Sequence, residues 1–236
     1  GSARNRGVVG KPLSDMREVV AVDMRNHGSS PRTETHTYPD MAADLAQVIV
    51  ETMGGRADVL GHSMGGKAAM MLALARPELV RRLIVADVAP VPYSHSQQPQ
   101  IDAMRRVDLA AMKNRADAGA MMQAASPEIA AFLLQSLDMD ARAWRLNLDL
   151  FEREMPGIVG FPQVTGRFDG PALFLSGAES TYVLPEYRPR IRELFPAARF
   201  ARIPGAGHWL HAEKPREFIE TVRVFLDAPD PGRSAG

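Results

Sequence analysis

Gly61-His62-Ser63-Met64-Gly65-Gly66 follows directly on a short apolar run, Ala57 to Leu60, and leads into Lys67 to Arg76, a stretch rich in Ala, Met and Leu. The first run has the length and setting of a buried strand. The second is built from strong helix formers and stops at Pro77. A G-x-S-x-G spacing at such a strand-to-helix turn is the pattern of a nucleophile elbow. The chemistry explains the pattern. A serine hydroxyl is a poor nucleophile unless it is held proud of the sheet beside a base. A tight turn achieves this by forcing the serine into a strained backbone conformation. Side chains two residues to either side would clash, so Gly61 and Gly65 are expected to be required. The same turn aims the Met64 N–H and the helix N-terminus at a developing oxyanion. A Gly-rich phosphate cradle is the competing reading, but the strand-turn-helix setting favours Ser63 as nucleophile, with His62 a filler of the elbow.

Working outward, Glu18 to Met24 (EVVAVDM) is an apolar run closed by a Gly/Ser/Pro-rich turn and predicts a buried parallel strand. Asp40 to Met53 carries Met41, Leu45, Val48 and Ile49 at helical spacing. Leu83 to Val88 predicts another buried strand, ended by Pro90 and Pro92. This alternation is the signature of a doubly wound α/β sheet. It breaks after Tyr93. From Gln97 to about Met155 only helical patterns occur, which predicts a helical cap inserted between strands. The rhythm resumes with a strand at Ala172 to Leu175, a helix near Pro189 to Leu194, a strand at Arg199 to Ile203 and a closing helix at Pro215 to Leu226. The expected organisation is a core of residues 1–93 and 166–227, a cap of residues 94–165 and a disordered tail, 228–236. Met104, Met112, Met121, Met122 and Leu133 in the cap suit an adaptable apolar acyl pocket, or plain packing for most of them.

A serine nucleophile at an elbow is followed in the chain by an acid and then a histidine. His208, in Gly205-Ala206-Gly207-His208-Trp209 between the last strand and the last helix, is the expected base. His27, His36 and His95 fall in early loops, and His211 suits a surface or pocket-rim role. The acid has two candidates. Asp87 ends the strand Leu83 to Val88, while the turn after Ala172 to Leu175 offers Glu179 and no aspartate. A carboxylate at the end of a buried strand needs a partner to offset its desolvation, which favours Asp87 over Glu179.

Composition narrows the remaining function classes. The 236 residues hold 28 Lys plus Arg and 28 Asp plus Glu, so the basic excess of a nucleic-acid partner is missing. There is no cysteine, which excludes disulfides, thiolate catalysis and Cys-ligated zinc, and is compatible with an expected cytoplasmic location. No segment approaches the roughly 18 apolar residues of a membrane span, and Gly1 to Arg6 lack the apolar stretch of a signal peptide. No membrane partner is expected.

Taken together, VVAVDMRNHGSSP, YPDMAADL, LGHSMGGKAAM, ADVAPVPY, LFLSGAESTYV and IPGAGHWLHAEKP resemble the YbfF-like esterases of the α/β-hydrolase superfamily over nearly the whole chain. The resemblance implies an α/β-hydrolase fold, a mostly parallel sheet flanked by helices with a helical cap. It implies hydrolysis of small carboxylic esters or acyl thioesters with no metal or cofactor, and it maps the acid to Asp87. The separations of Asp87 and His208 from Ser63, 24 and 145 residues, fit that pattern. Family members open with a hairpin, then a strand and a His-Gly loop that supplies a second oxyanion N–H. This chain opens at Gly1-Ser2-Ala3-Arg4-Asn5, so it is expected to lack that strand and donor and to be impaired by about 10²–10³ in rate. The alternatives are a catalytically weak hydrolase-like protein or fragment, or a serine hydrolase acting on C–C or amide bonds.

Overall fold

A computed structural model describes residues 9–15, 17–94, 97–124 and 126–229. Gly1 to Arg6, His95 and, beyond Pro229, the expected tail lie outside the described residues. In chain order the elements begin with α1 (Gly10–Leu13), α2 (Tyr38–Thr52), β1 (Ala57–His62), α3 (Met64–Ala75) and β2 (Val80–Ala86). Next come α4 (Gln98–Arg105), α5 (Arg115–Met122), α6 (Pro127–Leu134), β3 (Leu137–Asp138), β4 (Ala143–Trp144) and α7 (Leu148–Val159). The chain closes with β5 (Ala172–Gly177), α8 (Arg188–Leu194), β6 (Ala198–Ile203), α9 (Leu210–Glu213) and α10 (Pro215–Asp227). Among the described residues no helix is long and apolar enough to cross a membrane.

Contacts divide the described chain into two compact units, one of residues 22–37 and 92–160, the other of 38–91 and 161–229 with the residues before 22. The second unit holds the sheet, ordered β1-β2-β5-β6 with every pairing parallel. Strand β5 is buried along its whole length and β2 at every residue but Arg81, as strands covered on both faces must be. Their apolar runs therefore carry no alternation. One side of the sheet packs Ile84, Ala86, Leu173 and Leu175 against Phe218, Val222 and Phe225 of α10. Those helix residues recur at the three-to-four spacing that lines one helical face. Pro215 at the first turn of α10 costs no intrahelical hydrogen bond there.

The other unit clusters the segment 22–37 with the helical stretch rather than with the first part of the chain. Its helices α5, α6 and α7 are each started by a side-chain cap, from Asn114, Ser126 and Asn147. Met104, Met112, Met122 and Leu133 are buried together with Leu137 and Trp144, and Met121 packs against them. Packing accounts for these residues, and the acyl pocket suggested for them is set aside.

Three further expectations are corrected. Glu18 to Met24 has no regular secondary structure and belongs to no strand pairing among the described residues. Val19 packs on the core while Val20 is 38% exposed, so the apolar run reports contact with the core and not membership of the sheet. The cap is not wholly helical, because β3 and β4 form a two-residue antiparallel pair joined by a short turn. Finally, β2 ends at Ala86, which leaves Asp87 and Val88 beyond the strand.

Candidate active site

Ser63 and Asp87 emerge side by side from the carboxyl ends of neighbouring strands. The ladder runs one residue past each end: Ser63 N–H donates to Ala86 O at 3.0 Å, and Asp87 N–H donates to Leu175 O at 2.9 Å. Strand spacing thus sets the separation of the two side chains. Both residues have left-handed φ angles, 54° at Ser63 and 50° at Asp87. Ser63 combines this with ψ −121°, outside the regions an L-residue favours, and α3 begins at the next residue. The Met64 amide is accordingly the first of the helix N-terminal N–H groups.

The elbow glycines divide differently from expectation. A Cβ on Gly61 would lie 2.2 Å from the Gly65 carbonyl oxygen, so Gly61 has no room for a side chain. A Cβ on Gly65 would meet nothing within 4 Å, and the crowded partner is instead Gly66, 2.7 Å from Val88 Cγ1. Gly65 contributes its backbone to the close approach and its side-chain position is open.

His208 bridges the pair. Its Nδ1 lies 2.8 Å from Asp87 Oδ2 and its Nε2 lies 3.2 Å from Ser63 Oγ. The carboxylate fixes the tautomer as Nδ1–H, leaving Nε2 to accept from the serine. Asp87 is fully buried, and its charge is met by three donors: Gly177 N–H on Oδ1 at 3.1 Å, then the Ser180 hydroxyl and His208 Nδ1–H, both on Oδ2. The alternative acid, Glu179, is exposed, and its backbone N–H donates to Ala206 O. The position facing Nδ1 is therefore held by Asp87. Gly177 lets β5 reach this point, since a Cβ there would lie 2.2 Å from Gly207 O in the loop that carries His208.

That loop is held from two sides. The Glu213 carboxylate accepts Gly207 N–H at 2.7 Å and Trp209 N–H at 3.0 Å, gripping both neighbours of His208. His62, expected as a filler, donates from Nε2 to the His208 carbonyl at 2.8 Å and so ties the elbow to the base loop. Burial, reinforced by the imidazole of His208, pushes the His62 pKa well below its ordinary value and keeps it neutral. His211 lies beside this pair. It is half-buried, with its ring 4.7 Å from His62, and its Nδ1 has no hydrogen-bond partner among the described residues. Burial lowers its pKa too. Ser180, Tyr182 and Glu213 lie within the stretches LFLSGAESTYV and IPGAGHWLHAEKP, but no spacing there assigns them a role; their roles follow from tertiary register. Among the described residues no group of three or more His, Asp or Glu could hold a metal ion.

A family model described as the alpha/beta hydrolase fold matches residues 1–215. The sn-1-specific diacylglycerol lipase ABHD11 of Mus musculus is 39% identical over 220 residues, which cover 89% of this chain and 72% of that protein. The esterase YbfF of Escherichia coli (strain K12) is 38% identical over 230 residues, covering 96% of this chain and 89% of the relative. Among solved structures, one titled "Marine microorganism esterase" aligns with a TM-score of 0.90 at 35% identity, over 96% of this chain and 91% of that one.

Proposed function

The chain belongs to the α/β-hydrolase family, and from that premise we propose that it hydrolyses small carboxylic esters or acyl thioesters through an acyl-enzyme on Ser63. The single observation that carries the proposal is His208 standing between two partners, 3.2 Å from the Ser63 hydroxyl and 2.8 Å from a buried carboxylate. Both distances lie within reach of proton transfer. In this mechanism Ser63 Oγ attacks the acyl carbonyl and gives its proton to His208 Nε2. Asp87 keeps the imidazole oriented and stabilises its cationic form. The Met64 N–H, at the positive end of α3, donates to the oxyanion. His208 then returns the proton to the departing alkoxide or thiolate. In the second half it takes a proton from water as the water attacks the acyl group, then gives that proton to Ser63 Oγ as the acid leaves, restoring Ser63 and neutral His208.

The ester class is supported by the names of the relatives, an esterase and a diacylglycerol lipase. Nothing in the site favours amide or C–C cleavage over it. The test is labelling with a fluorophosphonate, followed by peptide mapping, alongside turnover of p-nitrophenyl esters of graded acyl length. Adduct on Ser63 and loss of turnover in Ser63→Ala are expected. Folded protein that leaves Ser63 unmodified, with turnover unchanged in Ser63→Ala, overturns the proposal.

A further inference from the structure

The phenol ring of Tyr182 lies flat over the His208 imidazole, centroids 3.9 Å apart and planes 19° apart. From this stacking we infer that Tyr182 is a positioning residue for the base: it fixes the plane of the imidazole with Nε2 on Ser63, and its face stabilises the imidazolium formed when the serine gives up its proton.

Other rings near His208 do not do this. His62 is tilted by 42° at 4.8 Å, and Trp209 stands at 71° and 5.7 Å. Neither presents a parallel face. A cation over an aromatic face is attracted by the ring quadrupole, and the contact strengthens as charge develops. The stacking partner is also held independently of the imidazole. Tyr182 N–H donates to Ser180 Oγ at 3.2 Å, and the same hydroxyl donates to Asp87 Oδ2. Acid, base, serine and tyrosine thus close a ring of contacts: Asp87 to His208, His208 to Tyr182, Tyr182 to Ser180 and Ser180 back to Asp87. The loop bearing Ser180 and Tyr182 is anchored by Ala178 N–H to Ile203 O and Glu179 N–H to Ala206 O, both at 2.9 Å. A tyrosine on a loose loop could not set a ring plane; this one is fastened to β6 and to the base loop.

The titratable groups facing His208 are Asp87 beyond β2, His62 at the end of β1, His211 and Glu213 on α9, and Tyr182 itself. All but the last are unchanged in the following variants. Tyr182→Phe keeps the face, whereas Tyr182→Leu and Tyr182→Gln remove it. Phe should retain kcat within about threefold. Leu and Gln should each lower kcat by roughly 3- to 30-fold with KM little changed. In both, the acid limb of the pH–rate profile should move to lower pH, because the imidazolium has lost a stabilising neighbour. The inference rests on the esterase mechanism for its kinetic part, so a proton NMR titration of the His208 ring accompanies it. The ring midpoint should fall in Leu and Gln and hold in Phe, with or without turnover. A midpoint unmoved in Leu and Gln overturns the role, as does an equal loss in all three variants, which would assign the effect to the hydroxyl. If Leu fails to fold, Gln carries the comparison. A parent protein inert to esters and to the serine probe overturns the esterase proposal, and the NMR midpoints still decide the role of Tyr182.

Discussion

The Ser180 hydroxyl and the His208 Nδ1–H converge on one oxygen, Oδ2 of Asp87. The other oxygen accepts from the backbone of Gly177, so the fully buried carboxylate is held at both oxygens and cannot rotate away from the imidazole without losing a partner. Orientation of the base is thereby set by the loop after β5 as much as by the acid.

Removing one of these donors weakens the clamp without leaving the charge unpaired. Ser180→Ala is expected to cost about 1.5–3 kcal/mol of stability, the range for a hydrogen bond to a charged group. Ester turnover should fall about tenfold, the equivalent of 1.4 kcal/mol in the barrier. Urea unfolding and steady-state kinetics on the same preparation test both figures; unchanged values in each would remove Ser180 from the site.

Ser63 stores strain in its backbone, φ 54° and ψ −121°. Glycine accepts such angles freely. Ser63→Gly should therefore abolish turnover and at the same time raise stability by about 1 kcal/mol, or roughly 2–4 °C in melting temperature. A calorimetric scan showing a lower melting temperature than the parent contradicts the strain assignment.

The two elbow glycines should behave oppositely. Gly61→Ala drives a methyl into the Gly65 carbonyl at 2.2 Å and should destabilise by more than about 2 kcal/mol. Gly65→Ala meets open space in the first turn of α3 and should be neutral or stabilising by up to about 1 kcal/mol. Parallel denaturant titrations of the two proteins read the contrast directly.

Lys67 gives a pH dependence. Its side chain is 2% exposed, its Nζ donates to Val91 O at 3.0 Å, and burial lowers its pKa from 10.5 to about 7. The unfolded chain therefore holds a proton that the folded chain gives up between those values, and stability rises with pH through that window. Below about pH 7 both states are protonated and the penalty is constant. The urea midpoint should climb between pH 7 and 9.5, with a slope of at most about 1.4 kcal/mol per pH unit from this group. Lys67→Met should remove that climb.

The elbow was legible in the sequence because it is local. Six consecutive residues between an apolar run and a run of helix formers specify both the turn and the nucleophile, and the chain order specifies where the base must lie. Asp87 could be favoured over Glu179 because a carboxylate next to a buried strand demands partners. Those partners, Gly177 and Ser180, were not legible, since they arrive through the β2–β5 register, which no spacing in one segment encodes. The same holds for Glu213 and His62, whose contacts depend on how the loop after β6 folds back. Glu18 to Met24 was misread for the converse reason: its apolar content reports contact with the core, whereas a strand needs a neighbour. Gly65 was misread because the obstacle at the elbow is a carbonyl oxygen, and symmetry in a motif is not symmetry in space.

Every side chain of the relay, Ser63, Asp87, Ser180, Tyr182 and His208, falls in the unit of residues 38–91 and 161–229. None comes from 22–37 or 92–160. Substitutions in the helical unit therefore remove no group from the proton path, and that unit is expected to drift at its own pace. Lineages built on this plan should hold the sheet-borne residues fixed while the helices between β2 and β5 diverge.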